Sequence, residues 1–202
     1  MYRFTQMTLI VFSSLILSHP VTSAQGYANP ESTQAQKAHE FKVHVGDDAP
    51  AFNLRAYNEE VALRLVKSPL ASLNHFVGLH PEFPKQVVLV GFFAAWNPQS
   101  QAELAVLQKT YKRFKDDDVM VLMISLDNKD IEGVYEAIEK AKVTYPVLRD
   151  RFGVVSKRYG VTKLPTLLII DKEGRIASIG EGYETNIESY LEGEIRALLG
   201  VQ

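Results

Sequence analysis

Three polar side chains, Asn97, Ser100 and Glu103, closely follow the single tryptophan of the chain, Trp96. A serine hydroxyl can act as a nucleophile, and a glutamate carboxyl can act as a general acid or base. A serine nucleophile needs a base within hydrogen-bond reach, yet no histidine lies within ten residues of Ser100. We therefore expect a solvated or helix-bonded hydroxyl at Ser100, and no catalytic residue at the three positions.

Asn97 and Pro98 have the residue types that begin a helix. Asparagine is among the best N-cap residues, and proline suits the position after the cap. Glu103 would then be a first-turn carboxylate that interacts favourably with the helix dipole. The alternative for Asn97 is that its amide hydrogen-bonds a bound peptide.

The elements around these residues are a strand and a helix. Residues 86–93 form a continuous apolar and β-branched run, which predicts a strand buried on both faces. From Pro98 to Lys115 the apolar residues recur at helical spacing and predict one buried face, made of Leu104, Leu107, Tyr111 and Phe114.

The rest of the chain predicts an α/β sandwich, because strands alternate with helices. The expected elements begin with a hairpin of strands 51–56 and 61–66 and an irregular connection 67–84 with a helical turn. A strand 118–126, a helix 130–142 with Ile131, Val134, Tyr135 and Ile138 inward, an extended piece 145–148 and a helix 152–159 follow. The chain then has strands 166–170 and 175–179 and a last helix, which starts with a Thr185/Glu188 capping box and ends at Gly200. The first buried β-α-β unit should be parallel.

Composition excludes several kinds of chemistry. The 202 residues contain no cysteine, so thiol nucleophiles and thiolate metal sites are excluded. The five histidines fit no metal-ligand spacing and no phosphate-binding motif occurs, so we expect no metal and no cofactor. The formal charge of −2, with acids and bases mixed, gives no reason to expect nucleic acid as a partner.

Three segments resemble the thioredoxin superfamily, and more closely its exported redoxin branch of TlpA-type thiol–disulfide oxidoreductases and alkyl hydroperoxide reductase relatives. Residues 92–104 are similar to Phe-x-Ala-x-Trp-Cys-x-x-Cys-x-x-Glu-Leu, with Asn97 and Ser100 in place of the two cysteines. Residues 159–166 resemble the segment with the family's cis-proline, and residues 168–176 its final hairpin.

The resemblance implies a thioredoxin-like three-layer α/β/α sandwich with an N-terminal β-hairpin extension. It also implies that Asn97, Ser100 and Glu103 occupy degenerate active-site positions. The residue before the cis-proline holds an extended substrate through its backbone in this superfamily. The candidate peptide groove therefore consists of Trp96, Asn97, Pro98, Leu164 and Pro165.

The N-terminus predicts export. Residues 8–17 are an apolar core after Arg3, and Ala24 ends a segment suited to cleavage, so residues 1–24 are interpreted as a signal peptide. Ten apolar residues are too few to span a bilayer, which needs about 20; an uncleaved anchor or a buried helix is the alternative. Residues 25–44 are expected to be a flexible polar linker, and residues 45–202 a redoxin domain in the periplasm or outside the cell.

Three functions remain open for such a chain. The first is a non-catalytic module that binds another exported protein or an extended peptide. The second is membership of a thiol–disulfide oxidoreductase or peroxidase system in which a partner supplies the thiols. The third is a structural or assembly subunit that uses another surface, such as the 67–84 loop. The sequence favours the first, because both sulfurs are lost while the tryptophan, the proline and the flanking motifs remain.

Overall fold

The computed structural model describes residues 42–78 and 81–201. The expected signal peptide and most of the expected linker lie outside the described residues. Val43 is an exception, because it is buried in the core. The folded domain therefore includes residues that the sequence assigned to the end of the linker.

A central five-stranded sheet organises the domain. The seven strands of the described residues are β1 (Asn53–Arg55), β2 (Leu70–Ser72), β3 (Val87–Phe93), β4 (Val119–Ser125), β5 (Val147–Arg149), β6 (Thr166–Ile170) and β7 (Ile176–Glu181). The sheet has the order β5-β4-β3-β6-β7. β3, β4 and β5 are parallel, as predicted for the first β-α-β unit. β6 is antiparallel to β3, and β7 is antiparallel to β6.

Helices flank this sheet, and the predicted fold class is confirmed. They are α1 (Glu59–Val66), α2 (Pro98–Phe114), α3 (Ile131–Ala141), α4 (Val154–Tyr159) and α5 (Ile187–Leu199). All of the strand residues in β3, β4 and β6 are buried. The predicted inward face of α2 is also buried, so α2 is fixed against the sheet immediately after β3. Among the described residues, no helix is long and apolar enough to cross a membrane.

The predicted strand at 61–66 is wrong. These residues belong to α1, and Val61, Ala62 and Val66 are its buried residues. The partner of β1 is instead β2, which lies in the connection expected to be irregular. A 3₁₀ turn at Leu73–His75 supplies the expected helical turn in that connection. The N-terminal extension is thus a two-stranded antiparallel sheet with a helix between its strands.

Two smaller expectations about helices are also wrong. Tyr135 of α3 is 48% exposed, although its ring contacts Tyr57 edge to face at 5.6 Å. No capping box forms at α5, because the N-cap is Asn186 and its side chain makes no cap hydrogen bond. Gly200 ends α5 in the left-handed conformation, as expected.

Residues 46–57 form a strap that reaches both outer strands of the sheet. At one end, the Gly46 amide donates to the carbonyl of Ile176 in β7 at 2.8 Å. At the other end, the Tyr57 amide donates to the carbonyl of Val147 in β5 at 2.7 Å. The strap therefore connects the two edges of the sheet through the backbone of the same chain.

Candidate functional site

The junction between β3 and α2 holds an exposed tryptophan on a buried support. Ala94 and Ala95 are buried, whereas Trp96 is 69% exposed. The Ala95 amide donates to Oδ2 of Asp127 at 2.8 Å, and the Asn97 amide donates to the Ala94 carbonyl at 3.1 Å. The backbone on each side of Trp96 is thus held in place, while its indole ring faces solvent.

Asn97 begins α2 as predicted. Its Oδ1 accepts hydrogen bonds from the amides of Gln99 at 2.9 Å and Ser100 at 3.1 Å, which satisfies two of the free N–H groups at the helix start. Its Nδ2 donates to the carbonyl of Leu164 at 3.4 Å. Asn97 therefore also joins the helix start to the turn before β6.

The structure brings that turn next to the start of α2. The Leu164–Pro165 peptide bond is cis, Pro165 is buried, and its carbonyl accepts from the Gly182 amide at 2.7 Å. Within the described residues, the Leu164 amide has no hydrogen-bond acceptor. A backbone donor in a partly exposed position is consequently free at this turn.

Ser100 differs from its expectation. It is completely buried, and its Oγ makes no hydrogen bond within the described part of the chain. The hydroxyl is neither solvated nor bonded to the helix, because its position on α2 faces the packed interior. None of the described residues forms a hydrogen bond with this Oγ, so none of them is placed to act as its base.

Glu103 also differs from its expectation. The first turn of α2 contains no acidic residue, and Glu103 lies in the second turn, 1% exposed. Its Oε2 has no hydrogen-bond partner among the described residues. Burial disfavours the charged form and raises the pKa of Glu103 to about 8. A favourable interaction with the helix dipole does not describe this group.

Two features near the site were missed by sequence analysis. The first is Asp127, whose buried carboxylate accepts hydrogen bonds from the Ala95 amide and from Oγ of Ser125. Glu103 lines a cavity of about 230 Å³ together with residues of β6, β7 and α5. No sequence signal identifies that cavity, because it depends on how α5 packs against the sheet. Asp130 caps the following helix, α3, by accepting a hydrogen bond from the Gly133 amide at 2.9 Å.

Comparisons with known proteins agree with this geometry. The AhpC/TSA family model matches residues 45–179. The chain belongs to this family. The thiol-disulfide oxidoreductase ResA of Oceanobacillus iheyensis is 31% identical over 149 residues, which span 73% of this chain and 71% of that protein. ResA of Bacillus cereus (strain ATCC 10987 / NRS 248) is 27% identical over 88% of this chain and 90% of its own length.

Solved structures show the same fold. A candidate thiol:disulfide interchange protein DsbE from Chlorobium tepidum superposes with a TM-score of 0.65, covering 78% of this chain and 99% of its own at 22% identity. The thioredoxin domain of a thiol-disulfide oxidoreductase from Bacteroides vulgatus gives 0.59, covering 76% and 99% at 24% identity. This AhpC/TSA family member therefore keeps a thioredoxin fold without any cysteine.

Proposed function

We propose that this chain is an exported, non-catalytic AhpC/TSA family member that binds an extended peptide segment of another protein. The observation that carries the proposal is the free Leu164 amide beside the exposed Trp96 and the capped helix start. These groups can bind a peptide without a thiol, because backbone pairing needs only an unpaired donor or acceptor.

The binding mode follows from the contacts of Leu164. A peptide lying along the turn accepts from the Leu164 amide, and it donates to the Leu164 carbonyl. Among the described residues, that carbonyl accepts a single hydrogen bond, the one from Asn97 at 3.4 Å, which is long for a strong bond. An incoming peptide amide can displace it, while Oδ1 of Asn97 continues to cap α2.

Trp96 supplies the apolar part of the contact. An exposed tryptophan offers a large ring surface and an N–H donor, a combination that is enriched in binding hot spots. Because the backbone on each side of Trp96 is hydrogen-bonded, the ring projects from a fixed position. Specificity would come from the peptide side chain that packs on this ring.

A second candidate is a thiol–disulfide system in which a partner supplies both thiols, and the names of the ResA relatives favour it. In that case the groove would bind a redox partner. Turnover in an insulin-reduction assay without any added thiol protein would contradict both candidates, because this chain contains no sulfur nucleophile.

The test of the groove is site-specific photo-crosslinking in the native compartment. A photoreactive residue replaces the exposed Gln99, which leaves the Asn97 cap in place. A control probe replaces Glu136, which is exposed on α3. We expect a partner that crosslinks at position 99 but not at 136, and that is lost in Trp96→Ala. Capture only from the 67–84 loop would overturn the groove proposal and favour a scaffold role.

Export is tested separately by fractionation and N-terminal sequencing of the chain purified from its cells. A mature N-terminus near residue 25 in the exported fraction supports the proposed signal peptide. A full-length chain that stays in the cytoplasm contradicts it.

A further inference from the structure

Arg149, the last residue of β5, carries a guanidinium group that makes no ion pair with a carboxylate of the described residues. Its Nε is buried and has no hydrogen-bond partner in this part of the chain. Its two terminal amino groups also make no hydrogen bond with the described residues, and they remain open to solvent because Arg149 is only partly buried. A charged donor that reaches solvent and has no acceptor is available to a ligand.

The carboxylates nearest to Arg149 in the chain and in the sheet are bonded to other groups. Asp150 accepts hydrogen bonds from three backbone amides at the start of α4. Asp127 accepts from the Ala95 amide and from Oγ of Ser125, and its Oδ1 has no partner among the described residues. Since neither carboxylate pairs with Arg149, its positive charge can serve an anionic group of another molecule.

Aromatic rings hold this guanidinium in place. Cζ of Arg149 lies 5.8 Å from the centroid of the Tyr57 ring. The Tyr57 ring in turn packs edge to face against Tyr135 at 5.6 Å, and its hydroxyl donates to the carbonyl of Asp127 at 3.3 Å. A guanidinium that already rests on a fixed ring loses little side-chain freedom when it binds a ligand.

The register of the sheet places Arg149 at the same end as the candidate peptide groove. Arg149 is paired with Ser125 in β4, and Ser125 is paired with Phe93, the last residue of β3 and three positions before Trp96. Neighbouring strands lie about 4.8 Å apart, so Arg149 is about 10 Å from Phe93 along this row. On the other side of β3, β6 begins opposite the end of β3, directly after the Leu164 turn. The order across this end is therefore the Leu164 turn, the Trp96 turn and then Arg149.

The turn after β5 adds apolar surface at this end of the sheet. Phe152 is 72% exposed, the largest fraction among the exposed large apolar side chains of the described residues. The guanidinium of Arg151 lies 5.2 Å from the centroid of its ring. Exposed aromatic rings thus follow both β3 and β5, and aromatic residues and arginine are enriched in binding hot spots.

We propose that Arg149 binds the carboxylate of an aspartate or glutamate side chain in the bound peptide, through its two terminal amino groups. Two parallel N–H···O bonds to a carboxylate are the pairing that the planar guanidinium favours. The inference rests on the proposed function, because the peptide is the one that lies along Leu164 and Trp96. Three extended residues at about 3.3 Å each cover the 10 Å to Arg149, so the acid should lie about three to five positions from the residue that packs on Trp96.

The experiment starts from a random dodecapeptide library displayed on phage and selected on the full chain purified from its cells. We expect the selected peptides to share an apolar residue and an aspartate or glutamate at a constant separation. One selected peptide is then synthesised with a fluorescent label, and its affinity is measured by fluorescence anisotropy. Replacing its acid by the corresponding amide leaves the protein untouched and should weaken binding at least tenfold.

Substitutions of arginine in the chain locate the contact. Arg149→Gln should weaken the acidic peptide at least tenfold, and the amide peptide should then bind no worse than the acidic one. Arg149→Lys keeps the charge but loses the planar fork, so it should weaken binding severalfold. Arg151→Gln removes the same charge from an exposed neighbour and should weaken binding less than threefold. Arg64→Gln, on the exposed side of α1, should change nothing, and urea unfolding checks that each variant folds.

The outcomes separate the role of Arg149 from the groove itself. Trp96→Ala should weaken the same peptide at least tenfold. If it does, the groove stands, and the role of Arg149 is overturned by an acid-to-amide exchange without effect or by equal losses in Arg149→Gln and Arg151→Gln. Peptides that bind Trp96→Ala as tightly as wild type, or a selection that yields no binding peptide, would overturn the groove and this inference together.

Discussion

The first two turns of α2 accommodate polar residues in opposite ways. At the exposed end, both hydrogen-bonding atoms of Asn97 have partners, in the helix start and in the Leu164 carbonyl. At the buried end, Ser100 and Glu103 each retain a polar atom that has no partner within the described residues. Asn97, at the position that the resemblance gives to the attacking cysteine, is therefore fully hydrogen-bonded, whereas the two buried side chains below it are not.

The difference shows which polar groups around α2 still lack a hydrogen-bond partner. A capped helix start is already satisfied, and only the neighbouring Trp96 and Leu164 amide remain available there. Buried polar atoms without a hydrogen-bond partner lower the stability of the fold, and a group that supplies the missing hydrogen bond removes that penalty. The proposed peptide recognition therefore belongs to the surface, and the polar atoms without partners belong to the interior.

The largest expected effect comes from restoring both sulfurs. The double substitution Asn97→Cys and Ser100→Cys should give measurable disulfide reduction where the wild-type chain has none, because a thiolate at a helix start is stabilised. The insulin-reduction assay with dithiothreitol as electron source measures it. Ser100→Cys alone is the control, and it should stay inactive because one thiol cannot close an intramolecular disulfide. An inactive double variant that folds normally would show that the site geometry has also diverged.

Glu103 should have the next largest effect, and it depends on pH. Its folded pKa of about 8 lies above the unfolded value of about 4.5, so the native state binds more protons between these values. The stabilising contribution is thus complete below pH 4.5 and is lost as pH rises through 8, by an amount on the order of 5 kcal/mol.

Glu103→Met should remove this loss. Urea unfolding at pH 5 and pH 9 should show a much smaller difference between the two pH values than in wild type. Glu136→Gln is the matched surface control and should keep the wild-type slope. A wild-type stability that does not change between pH 5 and 8 would show that Glu103 is hydrated, and the contrast between the two turns would disappear.

Removing the cap should have a moderate effect. Asn97→Ala leaves the amides of Gln99 and Ser100 without their acceptor, and should lower the free energy of unfolding by about 1–2 kcal/mol. Asn97→Asp keeps the acceptor and loses only the weak donor to Leu164, so it should stay within about 0.5 kcal/mol of wild type. Urea unfolding at pH 7 measures both. Equal losses in the two variants would show that the Leu164 bond, and not the cap, is the stabilising contact.

Ser100→Ala should have the smallest effect, and in the opposite direction. Deleting an unpaired buried hydroxyl and introducing a better helix former should raise stability by about 1 kcal/mol. Ser189→Ala, on the exposed face of α5, is the surface comparison; it makes the same change of residue type but also removes the hydrogen bond from Ser189 Oγ to the Asn186 carbonyl at 2.9 Å, so it should not gain stability. A destabilised Ser100→Ala would mean that the hydroxyl has a partner, such as an ordered water.

Patterns within one element predicted much of this fold, and contacts between distant elements did not. The strands β3 and β4 were found because they are buried on both faces and have continuous apolar runs. The segment 61–66 was assigned to a strand because a short run of apolar residues fits both periods. Its buried residues, Val61, Ala62 and Val66, follow helical spacing once the structure is known.

The candidate site divides in the same way. Capping by Asn97 followed from residue type, since the cap bonds only its own helix. The burial of Ser100 and Glu103 depends on how α2, α5 and the β6–β7 pair pack together, which no local pattern describes. The role of Asp127 was missed for a similar reason. Its carboxylate bonds the Ala95 amide, 32 positions away in the sequence, and the two residues meet only because β3 and β4 are neighbours in the sheet.

The strap at residues 46–57 determines how much of the two outer strand edges is exposed to other copies of the chain. Outer strands such as β5 and β7 present unpaired N–H and C=O groups, which can pair with a strand of another copy. The strap covers part of each edge with backbone from the same chain, through Gly46 on one side and Tyr57 on the other. The strap therefore protects part of both edges from pairing with another copy. A chain cut or loosened there would open two strand edges at once, and copies would associate edge to edge.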